Sequence, residues 1–299
     1  MAVAVSPLWD VSLSGGGVVA GAAGNVSTPE LRVAVPLRAA RPRIHAEVGR
    51  YRLRLAETVA DRDAVCRLRF KVFNIELGKG LEASYETGLD TDHFDLFCEH
   101  LIVEDKQAET GSARRIVGTY RMQSGVTAAH NLGYYSEQEF DFSPYEAMRG
   151  EILELGRAAI DREHRTPEVL TLLWRGIAQY ATDMQLRYLI GCSSLNSVDP
   201  REGWEMYAQL GQYRASHEFE THPMTGFVCP GEGEEQVTEP DAVPTKAPKL
   251  LKTYLAIGAR ICSAPAWDKE FGTIDFLTLL DLRAITSSAR NRFLAPLAG

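Results

Sequence analysis

Apolar and charged residues alternate through Tyr51-Arg52-Leu53-Arg54-Leu55, the period-two pattern of a strand buried on one face. The period then changes to that of a helix. Val65, Leu68, Val72 and Phe73 fall on one side of a stretch from Asp61 to about Leu77, and Asp61 and Asp63 sit where a helix N-terminus favours acids. Two strand patterns follow, His100–Val103 and Arg115–Arg121, with the polar stretch Glu104–Gly111 between them as a hairpin loop. Ile152–Ile160 is the next strand. Thr166-Pro167 then supplies an N-cap and a first-turn proline, and Leu170, Leu173, Trp174, Ile177, Ala181 and Met184 repeat at the helical period to about Gln185. Tyr188–Cys192 reads as a short buried strand, Trp204–Leu210 and Leu250–Ile261 as helices, and Phe276–Leu280 as an apolar strand between Asp275 and Asp281. A hairpin followed by strand, helix, strand predicts an α/β protein with a mixed central sheet and helices on its faces.

Two segments break the pattern. Residues 1–45 are rich in Ala, Val, Gly and Pro and read as a flexible leader, so that the folded domain spans 46–299 and its first strong strand starts at Tyr51. The first basic residue is Arg32, so the basic start of a secretion signal is not expected. Residues 231–248 carry five acids, one lysine and three prolines and read as an exposed acidic loop.

Composition narrows the function by exclusion. The 299 residues hold 32 Lys and Arg against 40 Asp and Glu, a net charge of −8, so a broad nucleic-acid surface is not expected. No apolar run reaches the ~18 residues of a membrane-spanning helix. The five cysteines are widely spaced without a CxxC pair, which disfavours a disulfide framework or a zinc site and points to a reducing, cytoplasmic setting.

The charges that matter lie within apolar runs, where each needs a partner. Glu154 and Arg157 are three apart on the Ile152–Ile160 strand, which sends them to opposite faces if the strand is regular. Arg69 lies on the first helix, Asp92 and Asp95 precede the second strand pattern, and Arg121 ends the third. This set reads either as an ion-pair network tying helix, loop and sheet, or as a site that orients and deprotonates an amine. Burial lifts a glutamate towards neutrality while a nearby arginine opposes it, which makes Glu154 a candidate general base. Cys98 and His100 share one side of a strand, but no third group orients them as a nucleophile and base.

The same residues carry a resemblance. Arg69-Phe70-Lys71-Val72-Phe73, Asp92-His93-Phe94-Asp95, Gly118-Thr119-Tyr120-Arg121 and Glu154-Leu155-Gly156-Arg157 occur in that order. With Phe94–Val103, Tyr134–Phe140, Leu173–Ile177, Leu250–Leu255 and Phe271–Phe276, the chain over about 51–285 resembles the acyl-carrier-protein-dependent GNAT N-acyltransferases, and most closely the ornithine N-acyltransferases that make lyso-ornithine lipid. The resemblance implies a GNAT fold, an acyl thioester seated where two parallel strands splay (near 152–160 and 188–192), and an amino acid α-amine as acceptor. It implies Glu154 and Arg157 as catalytic residues, with Arg69, Phe73, Asp92, Asp95 and Arg121 shaping the substrate site. Lys252, Tyr254 and Asp275 match the family pattern, with Thr253 where glycine is common, and either bind the acceptor or stabilise the terminal section.

One departure bears on the donor. CoA-dependent GNAT enzymes cradle pyrophosphate on a glycine-rich helix start. Here the stretch is Arg165-Thr166-Pro167-Glu168-Val169-Leu170, without glycine and with an acid. This departure argues against CoA, and the resemblance implies as donor a long-chain (3-hydroxy)acyl thioester on the 4'-phosphopantetheine arm of acyl carrier protein, as co-substrate and not cofactor. Arg162, His164 and Arg165 form a local basic edge for that acidic partner. No metal or redox cofactor is expected. The amphiphilic product leads us to expect peripheral contact with the inner face of the membrane. The alternatives are acylation of another amino acid or amine, and a non-catalytic GNAT-like domain that binds an acyl carrier or lipid.

Overall fold

A computed structural model describes residues 41–108, 115–231 and 247–285, together with 287, 290 and 291. Most of the expected leader, most of the acidic loop and the tip of the 104–111 hairpin lie outside these residues. The elements in chain order are β1 (His45–Val48), β2 (Tyr51–Leu55), α1 (Val59–Phe70), α2 (Ser84–Thr87), β3 (Glu99–Asp105), β4 (Arg115–Ser124), α3 (Gly125–Ala129), β5 (Ile152–Ile160), α4 (Pro167–Asp183), β6 (Tyr188–Leu195), α5 (Pro200–Gln209), α6 (Lys249–Ile257), β7 (Arg260–Ile261), β8 (Ala266–Asp268) and β9 (Thr273–Asp281). The strands form one sheet in the order β1-β2-β3-β4-β5-β6-β9-β7, with β8 paired to β9. Among these described strands only β5 and β6 pair in parallel.

Period-two burial assigns the two faces. On β3, Leu101 packs into the cluster beneath α4 with Leu53, Trp174 and Ile177, whereas its neighbour Ile102 packs with Val65, Leu68 and Val72 of α1. Each fully buried Leu or Ile contributes about 1.5–3 kcal/mol. Gly176 lets α4 lie close to the sheet: a Cβ there would stand 2.8 Å from Leu53 and Leu101 side chains. Helix α1 starts on a capping box, with Thr58 Oγ1 accepting from Asp61 N and the Asp61 carboxylate accepting from Thr58 N. It ends in a π-helical turn, Lys71–Glu76, that carries Phe73.

Two local features shape the centre of the sheet. The β5–β6 register holds only from Ile152↔Tyr188 to Glu154↔Ile190, after which the strands part. The β4–β5 register slips between Thr119↔Ala159 and Arg121↔Gly156, a bulge on β5. Arg157 sits in this bulge at φ +50°, in the left-handed region.

The structure differs from the sequence expectation at two places. The sheet begins at His45, because short β1 pairs antiparallel with β2. The helix expected over Leu250–Ile261 stops at Ile257, since Gly258 turns to φ +110° and Arg260–Ile261 pairs as β7 with β9.

Candidate active site

The gap between β5 and β6 opens into a cavity of about 320 Å³. Glu154, Arg157, Arg121 and Phe73 all line it. Glu154 and Arg157 therefore share a face, contrary to the expectation for a regular strand. The bulge is the reason: the left-handed turn at Arg157 returns its side chain to the side of Glu154.

Glu154 is buried at the mouth of the gap, 5% exposed, and is held by a turn that lies against β5. Its Oε2 accepts from Tyr135 N at 2.8 Å, and its Oε1 accepts from Ser136 N at 2.8 Å and Ser136 Oγ at 2.7 Å. Burial pushes the Glu154 carboxyl above its ordinary range, and the three hydrogen bonds pull the other way. The carboxylate is thus oriented and poised to take a proton.

Behind the cavity wall, three arginines and three aspartates interlock. Arg69 is fully buried on α1 and donates to Asp90 Oδ1 at 2.7 Å, to Asp95 Oδ1 at 2.7 Å and to Asp95 Oδ2 at 2.8 Å. Arg121 Nη1 reaches Asp92 Oδ1 at 2.6 Å and Asp95 Oδ1 at 3.2 Å. Arg157 Nη2 reaches Asp92 Oδ2 at 3.3 Å, and its Nη1 lies 3.5 Å from Asp90 Oδ2. Burial works against the charge on Asp95, but Arg69 and Arg121 hold its carboxyl far below the usual range. Arg69, Asp92 and Asp95 do not line the cavity. They fix Arg121 and Arg157, which do. Asp90, the sixth member, escaped the sequence reading, although it lies two residues before Asp92 in the same acidic stretch.

Aromatic rings sandwich the Arg157 guanidinium: its Cζ lies 4.6 Å from the Phe271 ring centre and 5.9 Å from those of Phe73 and Tyr135. Beyond it the walls change character. Tyr120, Trp174, Leu189, Leu251, Tyr254 and Leu280 make one apolar side, and the Tyr120 and Tyr254 hydroxyls hydrogen bond to each other. Asp268, Asp275, Cys192 and Ser194 make a polar side. Of the three residues matched to the family pattern near the end of the chain, Tyr254 and Asp275 reach the cavity and Lys252 does not.

The structure places the remaining expected residues elsewhere. Burial lowers His100 to about 4, with Asp95 opposing, so it is neutral near pH 7. Burial also raises the Cys98 thiol, which leaves no nucleophilic pair. Arg162 and Arg165 are exposed beside the start of α4, and Arg165 pairs with Glu76 at 2.5 Å. His164 is removed from the basic edge: it is buried, with Nδ1 3.1 Å from Tyr51 Oη. The α4 N-terminus is closed by its own cap, with Thr166 Oγ1 accepting from Val169 N at 3.5 Å, Pro167 in the first turn and Glu168 beside it.

A mixed sheet whose two parallel strands splay around a cavity, with helices on both faces, defines a GNAT-like fold, and the Acetyltransferase (GNAT) domain family matches residues 68–175. The L-ornithine N(alpha)-acyltransferase of Agrobacterium fabrum (strain C58) is 32% identical over 255 residues, covering 81% of this chain and 84% of that protein. That of Brucella abortus (strain 2308) is 29% identical over 265 residues, covering 82% and 89%. Among solved structures, the N-acyl amino acid synthase FeeM from uncultured soil microbes aligns with TM-score 0.48 at 13% identity, over 83% of this chain and 97% of that one. The chain belongs to the family of these Nα-acyltransferases, and its chemistry is acyl transfer to an amine.

Proposed function

We propose that this protein transfers a long-chain 3-hydroxyacyl group from acyl carrier protein to the α-amine of ornithine, giving lyso-ornithine lipid. The observation that carries the reading is the cavity itself. It has one apolar side for an acyl chain, one acidic side for a cationic acceptor, and Glu154 and Arg157 in the same lining. The relatives named for ornithine acylation support the acceptor.

In this reading the pantetheine thioester lies in the gap between β5 and β6. The unprotonated α-amine attacks the carbonyl carbon. A C–N bond forms, the C–S bond breaks, and the sulfur leaves as a thiolate that becomes the pantetheine thiol on receiving, from Glu154 or water, the proton the amine gave up. Glu154 takes the proton that the amine loses, directly or through one water. Backbone N–H groups released where β5 parts from β6 are the donors for the carbonyl oxygen. Arg121 and Arg157, neutralised from behind by Asp90, Asp92 and Asp95, shape the site without presenting unpaired charge.

The capped α4 N-terminus with Glu168 supports a carrier-protein donor over CoA, because it offers no cradle for a pyrophosphate. Arg162 and Arg165 are the docking edge in this reading. Among the described residues no helix is long and apolar enough to cross a membrane. We place the enzyme in the cytoplasm, with its product leaving at the inner membrane surface.

Thiol release from 3-hydroxyacyl carrier protein, followed with single amino acids, tests the reading. Ornithine-dependent release is expected. Release that is indifferent to ornithine would overturn it, and no release from folded protein would return weight to a non-catalytic acyl-carrier-binding domain.

A further inference from the structure

The cavity's two charged regions are built differently. Around Arg69, Arg121 and Arg157, three arginines meet three aspartates and the charge is balanced. At the polar side, Asp268 and Asp275 line the cavity and Glu139, which does not, packs against them, the three coming from separate segments. Glu139 follows the turn that binds Glu154, Asp268 ends β8, and Asp275 lies on β9 opposite Ser194 of β6. An oxygen from each carboxyl lies within 4.8 Å of the others, and all three side chains are buried. Among the described residues, no lysine, arginine or histidine forms an ion pair with any of them. Lys269, adjacent in sequence to Asp268, sends its ammonium over the Trp267 ring, 4.9 Å from its centre.

The hydrogen bonds around the cluster are incomplete as well. Asp268 Oδ1 accepts from Phe271 N at 2.8 Å, and Asp275 Oδ2 contacts Thr273 Oγ1 at 3.3 Å. Asp275 Oδ1 and Glu139 Oε2 are buried and accept no N–H or hydroxyl hydrogen bond, and the two carboxyls pair with each other through a shared proton. Asp275 is 3% exposed and lines the cavity, so this oxygen belongs to a side chain that faces the space a substrate would fill. Buried carboxyls that no cation pairs with cost stability, and a cationic donor brought by a ligand would satisfy them.

The cluster is also close to Glu154. Ser136 Oγ donates to Glu154 Oε1 at 2.7 Å and lies 3.4 Å from Cys192 Sγ, and the Cys192 thiol lies beside Glu139. One serine and one cysteine thus separate the base that would serve an α-amine from a buried carboxyl cluster that no cation pairs with among the described residues. That span suits the few carbons between the two nitrogens of a short diamino acid.

We propose that Asp268 and Asp275, backed by Glu139, bind the side-chain ammonium of the acceptor, and so select amino acids that end in a primary amine. This rests on the ornithine reading above and assigns the residues that enforce it. The ammonium's N–H donors find the two carboxyls that line the cavity, Asp268 and Asp275, and its charge is neutralised away from Glu154. A neutral side chain of the same length leaves the carboxyls unmatched. A site built on buried polar groups rejects such an analogue by far more than a missing methylene would.

The test compares kcat/KM for ornithine with that for norvaline, which has the same carbon skeleton without the terminal amine, and for δ-N-acetylornithine, which keeps the nitrogen without its charge. The wild type should favour ornithine over both by at least about 100-fold. In Glu139→Gln, Asp268→Asn and Asp275→Asn the ornithine-to-norvaline ratio should fall towards one. Each exchange is close to isosteric and removes charge from a crowded buried cluster, so stability should hold, and thermal melting checks it. A wild-type preference for ornithine that survives in folded variants would overturn the cluster's role and leave the acceptor reading standing. A wild type that acylates norvaline as well as ornithine would overturn both. Calorimetry with Mg²⁺ or Mn²⁺ alone adds a further outcome: tight binding lost in Asp275→Asn, with the ratio untouched, would make the cluster a metal site and defeat the proposal.

Discussion

Arg157 and Glu154 line one cavity although three residues of regular strand would place them on opposite faces. The left-handed backbone at Arg157, φ +50°, makes the difference. It also stacks the guanidinium on Phe271 while Asp92 and Asp90 hold it from behind. The bulge thus converts a strand with alternating sides into one that projects a carboxylate and a guanidinium into the same space.

Replacing Glu154 tests the base. Glu154→Gln should lower kcat by about 100-fold or more at neutral pH. The exchange also sets an NH₂ group against Tyr135 N–H or Ser136 N–H, so a melting-point drop worth about 1–3 kcal/mol is expected alongside. In the wild type, kcat/KM should fall on the acid side as the raised Glu154 carboxyl protonates. Near wild-type turnover in the variant would remove the assignment.

Gly191 sets the width of the gap. A Cβ at this position would stand 2.2 Å from Leu155 O, on the neighbouring strand where the two part. Gly191→Ala must push β5 from β6, at a cost of about 1–3 kcal/mol. Activity should drop further than the melting temperature accounts for, and assays well below the transition separate the two. An active variant with normal KM for the acyl donor would show that the thioester does not lie there.

The acidic cluster makes a pH signature. Burial, with Asp268 adding to it, raises Asp275 to about 6 from an ordinary 3.8. The fold therefore prefers its protonated form, and the ligand-free protein gives up this stability as pH rises from 3.8 through about 6. The groups that bear most on Asp275 are Ser194, Asp268, Glu139 and Thr273, and among the described residues no cation forms an ion pair with it. Asp275→Asn cannot ionise and should melt higher than wild type at about pH 7.5 but not at about pH 3.5. Ornithine binding should release protons near pH 6, measurable by calorimetry in buffers of different ionisation enthalpy. Melting curves that keep the same offset at both pH values would contradict the buried ionisation.

Carrier-protein docking is a surface question. Reversing Arg162 and Arg165 to Glu should weaken acyl carrier protein binding most at low salt and least at high salt. Arg165→Glu also faces Glu76, its present partner, so Arg162→Glu is the cleaner variant. Unchanged affinity at low salt in both would move the docking site elsewhere.

The periodic elements were legible in the sequence because their burial is periodic: Leu101 and Ile102 face opposite helices, as alternation requires. The charged residues inside apolar runs were legible for a related reason, since Arg69, Arg121 and Glu154 must find partners once buried. Their mutual geometry was not, because it depends on a bulge and a left-handed residue that no side-chain pattern marks. Tyr135 and Ser136 stood out as part of a motif, but their function lies in backbone N–H groups, which every residue but proline carries. Glu139 belongs to that same motif and Asp268 to none, and neither segment by itself marks a site. Only the pairing of β8 with β9 and the turn over β5 bring them to Asp275.

The central claim is most directly tested by mass spectrometry of products. Purified protein is given 3-hydroxyacyl carrier protein and an equimolar pool of amino acids, with a parallel reaction on the matching acyl-CoA. The account expects N-acyl-ornithine as the dominant product, formed with the carrier protein and at most weakly with CoA. A different acylated amine, or equal yield from CoA, or no product from folded protein with either donor, would contradict it.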